Sequence, residues 1–136
     1  ETNQASVEIT ATGVGSTAAV GSVVAISDTF TITVSNPGSG NKYFSDGVQQ
    51  ATLTLSEGNT YRLDQSSGTN GSHPLRFSTT SDGTHGGGTE YTTGVTVSGV
   101  AGNPGAYVQI LVASGAPTLY YYCTNHSGMG GQANTP

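Results

Sequence analysis

Apolar and polar residues alternate at period two in several places along this chain, the pattern of strands with one buried face. Ser6-Val-Glu-Ile-Thr-Ala11 puts Val7, Ile9 and Ala11 on one side, and Phe30-Thr-Ile-Thr-Val34 alternates as cleanly. Between them Val23-Val-Ala-Ile26 is a short apolar run. Lys42-Tyr-Phe44 leads into an Asp46-Gly47 turn. Ala51-Thr-Leu-Thr-Leu55 and Tyr61-Arg-Leu63, with Glu57-Gly58 between them, read as a hairpin. His73-Pro-Leu-Arg-Phe77 starts another strand, in which Pro74 is tolerable only near the beginning or on an edge. Residues 91–100 are β-prone but interrupted by Gly94 and Gly99, residues 106–112 read as a largely buried strand, and Leu119-Tyr-Tyr-Tyr-Cys123 is the last clear one. Residues 66–72, 78–89 and Gly102-Asn-Pro-Gly105 read as loops or turns. There is no helical amphipathic window of useful length and no internal repeat. Eight or so short strands punctuated by Gly, Pro and Asn predict an all-β sandwich.

Asn36-Pro-Gly-Ser-Gly-Asn41 is the strongest loop signal, and it divides a β-prone N-terminal arm or set of added strands (1–40) from a sandwich at 41–136. A chain of 136 residues is one domain with room for a core. Its hydrophobic share of 33% is low, but 21 glycines bring it near the usual apolar content. Charged residues make up only 8%, which excludes charge-rich disorder. A net charge of −5, with Lys42, Arg62 and Arg76 the only cations, argues against nucleic acid, whose phosphates need a basic footprint. The acids are spread from Glu1 to Glu90 and form no patch. No apolar run approaches a membrane span. With no initiator Met and no signal peptide, Glu1 reads as a processed start. Asp46, Asp64 and Asp82 suit turns or loops. No Ser/His/Asp set or carboxylate pair stands in a hydrolytic context, so no enzyme activity is expected.

The candidate chemistry is concentrated near the C-terminus. Cys123, His126 and Met129, the last two being one of three histidines and the sole methionine, fall within seven positions. A single cysteine cannot close an intramolecular disulfide, which leaves a free thiol, a metal ligand or an intermolecular link. Thiolate, imidazole and thioether together form a soft set that suits copper better than zinc, calcium or magnesium. Alternation along 119–123 puts Cys123 on one face with Tyr121 and Leu119, expected to be the inner one, and Tyr120 and Tyr122 on the other. A fourth ligand has to come from elsewhere, and His73 opens a strand directly after a loop. Two imidazoles and a thiolate with a long axial thioether make a blue-copper site. His85, among glycines and threonines, reads as a solvated loop residue. The three tyrosines read as packing, and the sequons at Asn70 and Asn125 as coincidence.

Asn70-Gly-Ser-His73, a gap of about fifty residues, then Tyr122-Cys-Thr-Asn-His-Ser-Gly-Met129 resembles the cupredoxin family. The Cys-x-x-His-x-x-Met spacing is the short-loop version, as in amicyanins, and the resemblance covers roughly residues 42–132. Within that family the chain is most similar to cupredoxin-like modules in virion structural proteins of marine phages, especially cyanophages. The strings that carry this are Asp46-Gly-Val-Gln, Glu57-Gly-Asn-Thr-Tyr61, Ser72-His-Pro, Glu90-Tyr-Thr-Thr-Gly94 and Tyr120-Tyr-Tyr-Cys-Thr-Asn-His126. The resemblance implies a Greek-key sandwich holding one copper ion, with His73 and His126 as imidazole ligands, Cys123 as thiolate and Met129 as axial thioether. It also implies a non-enzymatic virion structural protein, a capsid decoration or a tail or fibre component, on a virion exterior or otherwise extracellular. Its partners would be other virion proteins or copies of itself. The alternative is a soluble, periplasmic blue-copper electron carrier with an electron-transfer partner. Three departures from the family pattern stand out. Pro74 follows the first histidine where Asn is common, Asn125 precedes the second where Pro is common, and seven residues after Met129 imply a closing strand that is short or missing.

Overall fold

Inward-facing side chains from two sheets meet in a single core. The computed structural model describes residues 24–136, so the strand expected at 6–11, with the rest of 1–23, lies outside the described residues. Eleven strands follow in order: β1 (Asp28–Ser35), β2 (Lys42–Ser45), β3 (Val48–Gln49), β4 (Leu53–Thr54), β5 (Thr60–Asp64), β6 (Leu75–Ser78), β7 (Glu90–Tyr91), β8 (Val95–Ser98), β9 (Tyr107–Leu111), β10 (Leu119–Cys123) and β11 (Gly131–Asn134). One sheet runs β3-β2-β1-β5-β9-β8 and the other β4-β11-β10-β6-β7. Each is mixed: β1 lies parallel to β5 and β4 parallel to β11, while the other pairings are antiparallel. The only helical segments among the described residues are 3₁₀ turns at Gly68–Asn70 and Gly83–Gly86. No described helix is long and apolar enough to cross a membrane.

The alternation explains the core. Ile32, Val34, Leu63, Val108 and Ile110 point inward from the first sheet, and Leu75, Phe77, Leu119 and Tyr121 from the second. Burying each large apolar side chain contributes about 1.5–3 kcal/mol before the entropy of ordering it is set against the gain. Val24 to Ile26, the rest of the apolar run, form no strand.

The expected hairpin across Glu57-Gly58 is not one. Strand β4 pairs with β11 in the second sheet and β5 with β1 and β9 in the first, so the turn carries the chain from one sheet to the other. Alternation reports which face is buried, and two strands looking at one core from opposite sides share that pattern. The Ser56 N–H, donating to the Tyr61 hydroxyl at 2.9 Å, fastens this corner.

Loop 36–41, expected as a boundary, connects two strands that pair antiparallel, with Val34 opposite Tyr43. The Asn36 carboxamide oxygen accepts from the N–H groups of Gly38 and Gly40 (2.8 and 3.1 Å), which builds the turn locally. Residues 28–35 are therefore inside the six-stranded sheet. The closing strand is short: β11 has four residues and pairs with both β10 and β4. Pro74 stands one residue before β6, where its missing N–H breaks no ladder bond.

Candidate metal centre

Register builds the site. Because Cys123 lies opposite Leu75, the start of β6 meets the end of β10, and His73 stands beside the loop that follows Cys123. The Thr124 N–H donates to the Pro74 carbonyl (3.1 Å) and extends that pairing by one step. Inward parity along β10 leaves Leu119, Tyr121 and Cys123 all essentially without solvent contact.

Three donor atoms converge here. The Cys123 Sγ lies 3.7 Å from His73 Nδ1 and 3.6 Å from His126 Nδ1, and donor atoms of all three residues fall within 4.8 Å of one another. The sulfur can donate its one proton to one nitrogen and accept from the N–H of the other ring, and a metal shared by all three donors would give the same two distances. With metal–sulfur near 2.3 Å and metal–nitrogen near 2.0–2.1 Å, angles between tetrahedral and trigonal put S···N at roughly 3.6–3.8 Å. Both S···N separations are those that a shared metal ion would give.

Solvent reaches the three unequally. Cys123 and His73 are buried, while His126 is exposed. The two imidazoles stand 4.8 Å apart, centroid to centroid, tilted by 49°. Burial, and then the neighbouring His126, push the His73 pKa below the ordinary histidine range. That favours the neutral ring, the form with a lone pair for a metal.

Met129 stands at the far end of the same loop. Its side chain is buried in the core cluster, and it lines an open cleft with His126, Asn125 and Lys42. Surface side chains hold the backbone around it. Lys42 Nζ donates to the Gly128 carbonyl (2.9 Å), Gln50 Nε2 to the Gly130 carbonyl (2.8 Å), and the Gly128 N–H to Asp82 Oδ1 (2.9 Å). The structure thus gathers His73, Cys123 and His126 at one point and puts Met129 on the adjoining stretch of loop.

Around these candidate donors is a polar frame that the sequence reading missed. Gln65, which is 2% exposed, donates through Nε2 to Asn70 Oδ1 and the His73 carbonyl, both at 2.9 Å, and accepts from the Leu75 N–H at 3.0 Å. Asn70 in turn donates to the Ile32 carbonyl (2.8 Å), which ties the loop before His73 to β1. Tyr43 donates its hydroxyl proton to the His73 carbonyl at 2.6 Å. One signal was legible: Gln65 shares inward parity with Tyr61 and Leu63, and a polar side chain aimed at a core needs partners there.

His85 is exposed, as expected, and its Nε2 is 2.8 Å from the Cys123 carbonyl oxygen while its ring meets Tyr122 edge-on. Tyr122, on the outer face of β10 as expected, is nonetheless 1% exposed, because the Gly83–Gly86 turn folds over it. A Cβ at Gly83 would overlap the Tyr122 ring, so the glycine is what lets the turn close. No protein-family model matches this chain, and no curated protein matches it significantly.

Proposed function

We propose that the chain is a cupredoxin-like module that holds one copper ion and serves as a structural component of a virion exterior. The observation that carries the copper reading is the placement of one buried thiol sulfur at 3.6 and 3.7 Å from two imidazole nitrogens. In this reading His73 and His126 would hold the ion through their imidazoles, Cys123 through its thiolate and Met129 through its thioether, in a Greek-key sandwich. A soft set of this composition selects copper over hard cations. Copper bound there would supply one-electron chemistry between its two common oxidation states. The chain's own contribution is a dry pocket for the thiolate and a β frame that fixes the donors before the metal arrives.

The display role is supported by the surface. From Tyr91 to Pro136 there is no Asp, Glu, Lys or Arg. Among the described residues β8 is an edge strand in that stretch, with Val97 43% exposed and Val100, just beyond it, 67% exposed. Natural sheet edges are usually blunted by charge or proline, and an edge with neither suits strand addition between copies or to other virion proteins. A second reading, an electron carrier, is favoured by the exposed His126 beside the buried Cys123, which gives an electron a short way out.

Copper(II) titration of the purified protein tests the metal. One equivalent retained through dialysis, with an intense visible thiolate-to-copper band that Cys123→Ser abolishes, is the expected result. No retained copper would sink it. Sedimentation over a wide concentration range, and co-purification with particles, test the role. Ordered assemblies support display, whereas a strict monomer with fast, reversible redox cycling supports the carrier.

A further inference from the structure

We propose that Tyr43 is the positioning residue of the metal centre, holding the backbone of His73 with its hydroxyl and that of Met129 with its amide. The inference rests on the copper reading above and names the group that fixes its geometry. Tyr43 lies on β2, in the sheet opposite the ligands, and is 0% exposed. Its N–H donates to the Met129 carbonyl at 2.9 Å and its hydroxyl to the His73 carbonyl at 2.6 Å. One residue therefore reaches two ligand-bearing segments fifty-six positions apart in sequence (129 − 73 = 56).

The His73 carbonyl is the point to hold. The next residue, Pro74, offers neither an N–H nor a polar side chain to brace the site. Both donors to that carbonyl instead come from the facing sheet: the Tyr43 hydroxyl and Gln65 Nε2 at the end of β5. Two donors on one oxygen fix the peptide plane, and with it the direction in which the His73 ring leaves the chain. The Tyr43 ring leans on Tyr121 at 6.2 Å between centroids, which locks the side chain from its other side.

Tyr43→Phe tests this, because it keeps the ring that fills the core and removes only the donor. Tyr61→Phe is the control: it also removes a phenol that serves one backbone group, the Ser56 N–H, but away from the ligands. Full-length wild type and both variants are loaded with copper(II) and compared in affinity, thiolate-to-copper spectrum and reduction potential. Losing one net hydrogen bond predicts copper binding weaker by roughly 3- to 10-fold in Tyr43→Phe, with a shifted spectrum and potential. The control should match wild type in all three. The metal-free proteins are compared by the ring resonances of His73 and His126, which should shift or double in Tyr43→Phe alone. Wild type that binds copper while Tyr43→Phe matches it in affinity, spectrum and potential would overturn the positioning role and leave the copper reading intact. Wild type that binds no copper removes the copper reading. In that event unchanged histidine resonances in metal-free Tyr43→Phe would overturn the positioning role as well.

Discussion

The two imidazoles of the candidate metal centre are held in opposite ways. His73 is buried, and its backbone is fixed by Tyr43 and Gln65, both buried and neutral. The loop carrying His126 and Met129 is held at its surface by Lys42, Gln50, Asp82 and Asn125, all reaching backbone groups. A buried donor has no water to replace its partner, so its loss leaves a naked polar group and costs its full desolvation. An exposed one exchanges its partner for water at little cost. The His73 side is thus held from within, while the other side, although Met129 is itself buried and tied to the Tyr43 N–H, is held mainly from its surface.

The largest expected effect comes from removing what both sides share. Cys123→Ser should weaken copper binding by more than about 100-fold, since even outer-shell changes at metal sites cost about 10–100-fold. Metal titration checks this. Among the histidines the contrast sharpens: His73→Ala and His126→Ala should both abolish the charge-transfer band. Only His73→Ala should also lower the denaturation midpoint of the metal-free protein, because only His73 is buried. Equal midpoints would break the comparison.

Next comes Gln65→Leu, which strips the buried side of its shared partner. It leaves the Leu75 N–H and Asn70 Oδ1 without the amide that joined them, and takes one of two donors from the His73 carbonyl. A loss of about 2–4 kcal/mol in the metal-free protein is expected from urea denaturation. A change under about 0.5 kcal/mol, the range of ordinary surface substitutions, would show that the frame is not rigid in the sense argued here.

Much of this was legible in the sequence and some was not, for identifiable reasons. The strand at 119–123 and its inward parity follow from side-chain period alone, and so does the side on which Cys123 falls. The convergence of His73 on Cys123 depends on β6 lying beside β10, and no local pattern encodes that neighbour; the position of His73 at the start of a strand made it a candidate, and the resemblance added the pairing. The false hairpin at 51–63 has the same origin, a correct face with an incorrect neighbour. Gln65 and Tyr43 were hidden because their roles consist of contacts to backbone groups 8 and 30 positions away. The exposure of His85 was legible from its surroundings, but its contact with the Cys123 carbonyl was not, because that depends on Gly83 letting the turn close over Tyr122.

On the exposed side the effects shrink. Asp82→Ala removes the acceptor for the Gly128 N–H, next to Met129, where water can take its place. A cost of about 1 kcal/mol or less is expected, with copper affinity within about fivefold of wild type. The departure from the family pattern at Asn125 belongs here too. Its Nδ2 donates to the Ser72 carbonyl at 2.9 Å and bridges the two ligand loops from outside, across the very junction where Pro74 offers no side-chain brace. Asn125→Pro removes that bridge, and Asn125→Asp reverses its donor. Both should leave the fold intact and raise the rate of metal release to a chelator, which stopped-flow measurement can read. Release as slow as wild type would mean that the loop needs no outer bridge.

The smallest expected effect is the pH dependence of the metal-free fold, and its sign follows from His73. Its folded pKa is lowered by burial and by His126, while the unfolded chain keeps a value near 6.5. As pH falls through about 6.5 the unfolded state takes up the proton first, so stability drops until the folded pKa is passed and then levels off. Above that window the contribution is fully present. Urea midpoints of the metal-free protein between pH 7.5 and pH 5 should therefore decline on acidification, and His73→Phe, which cannot titrate, should decline less. Because His85 and His126 remain in both proteins, the difference in slope reports His73 together with its interaction with His126. Identical slopes would mean that the buried imidazole is as easily protonated as an exposed one, and that the two sides of the site differ in packing but not in polarity.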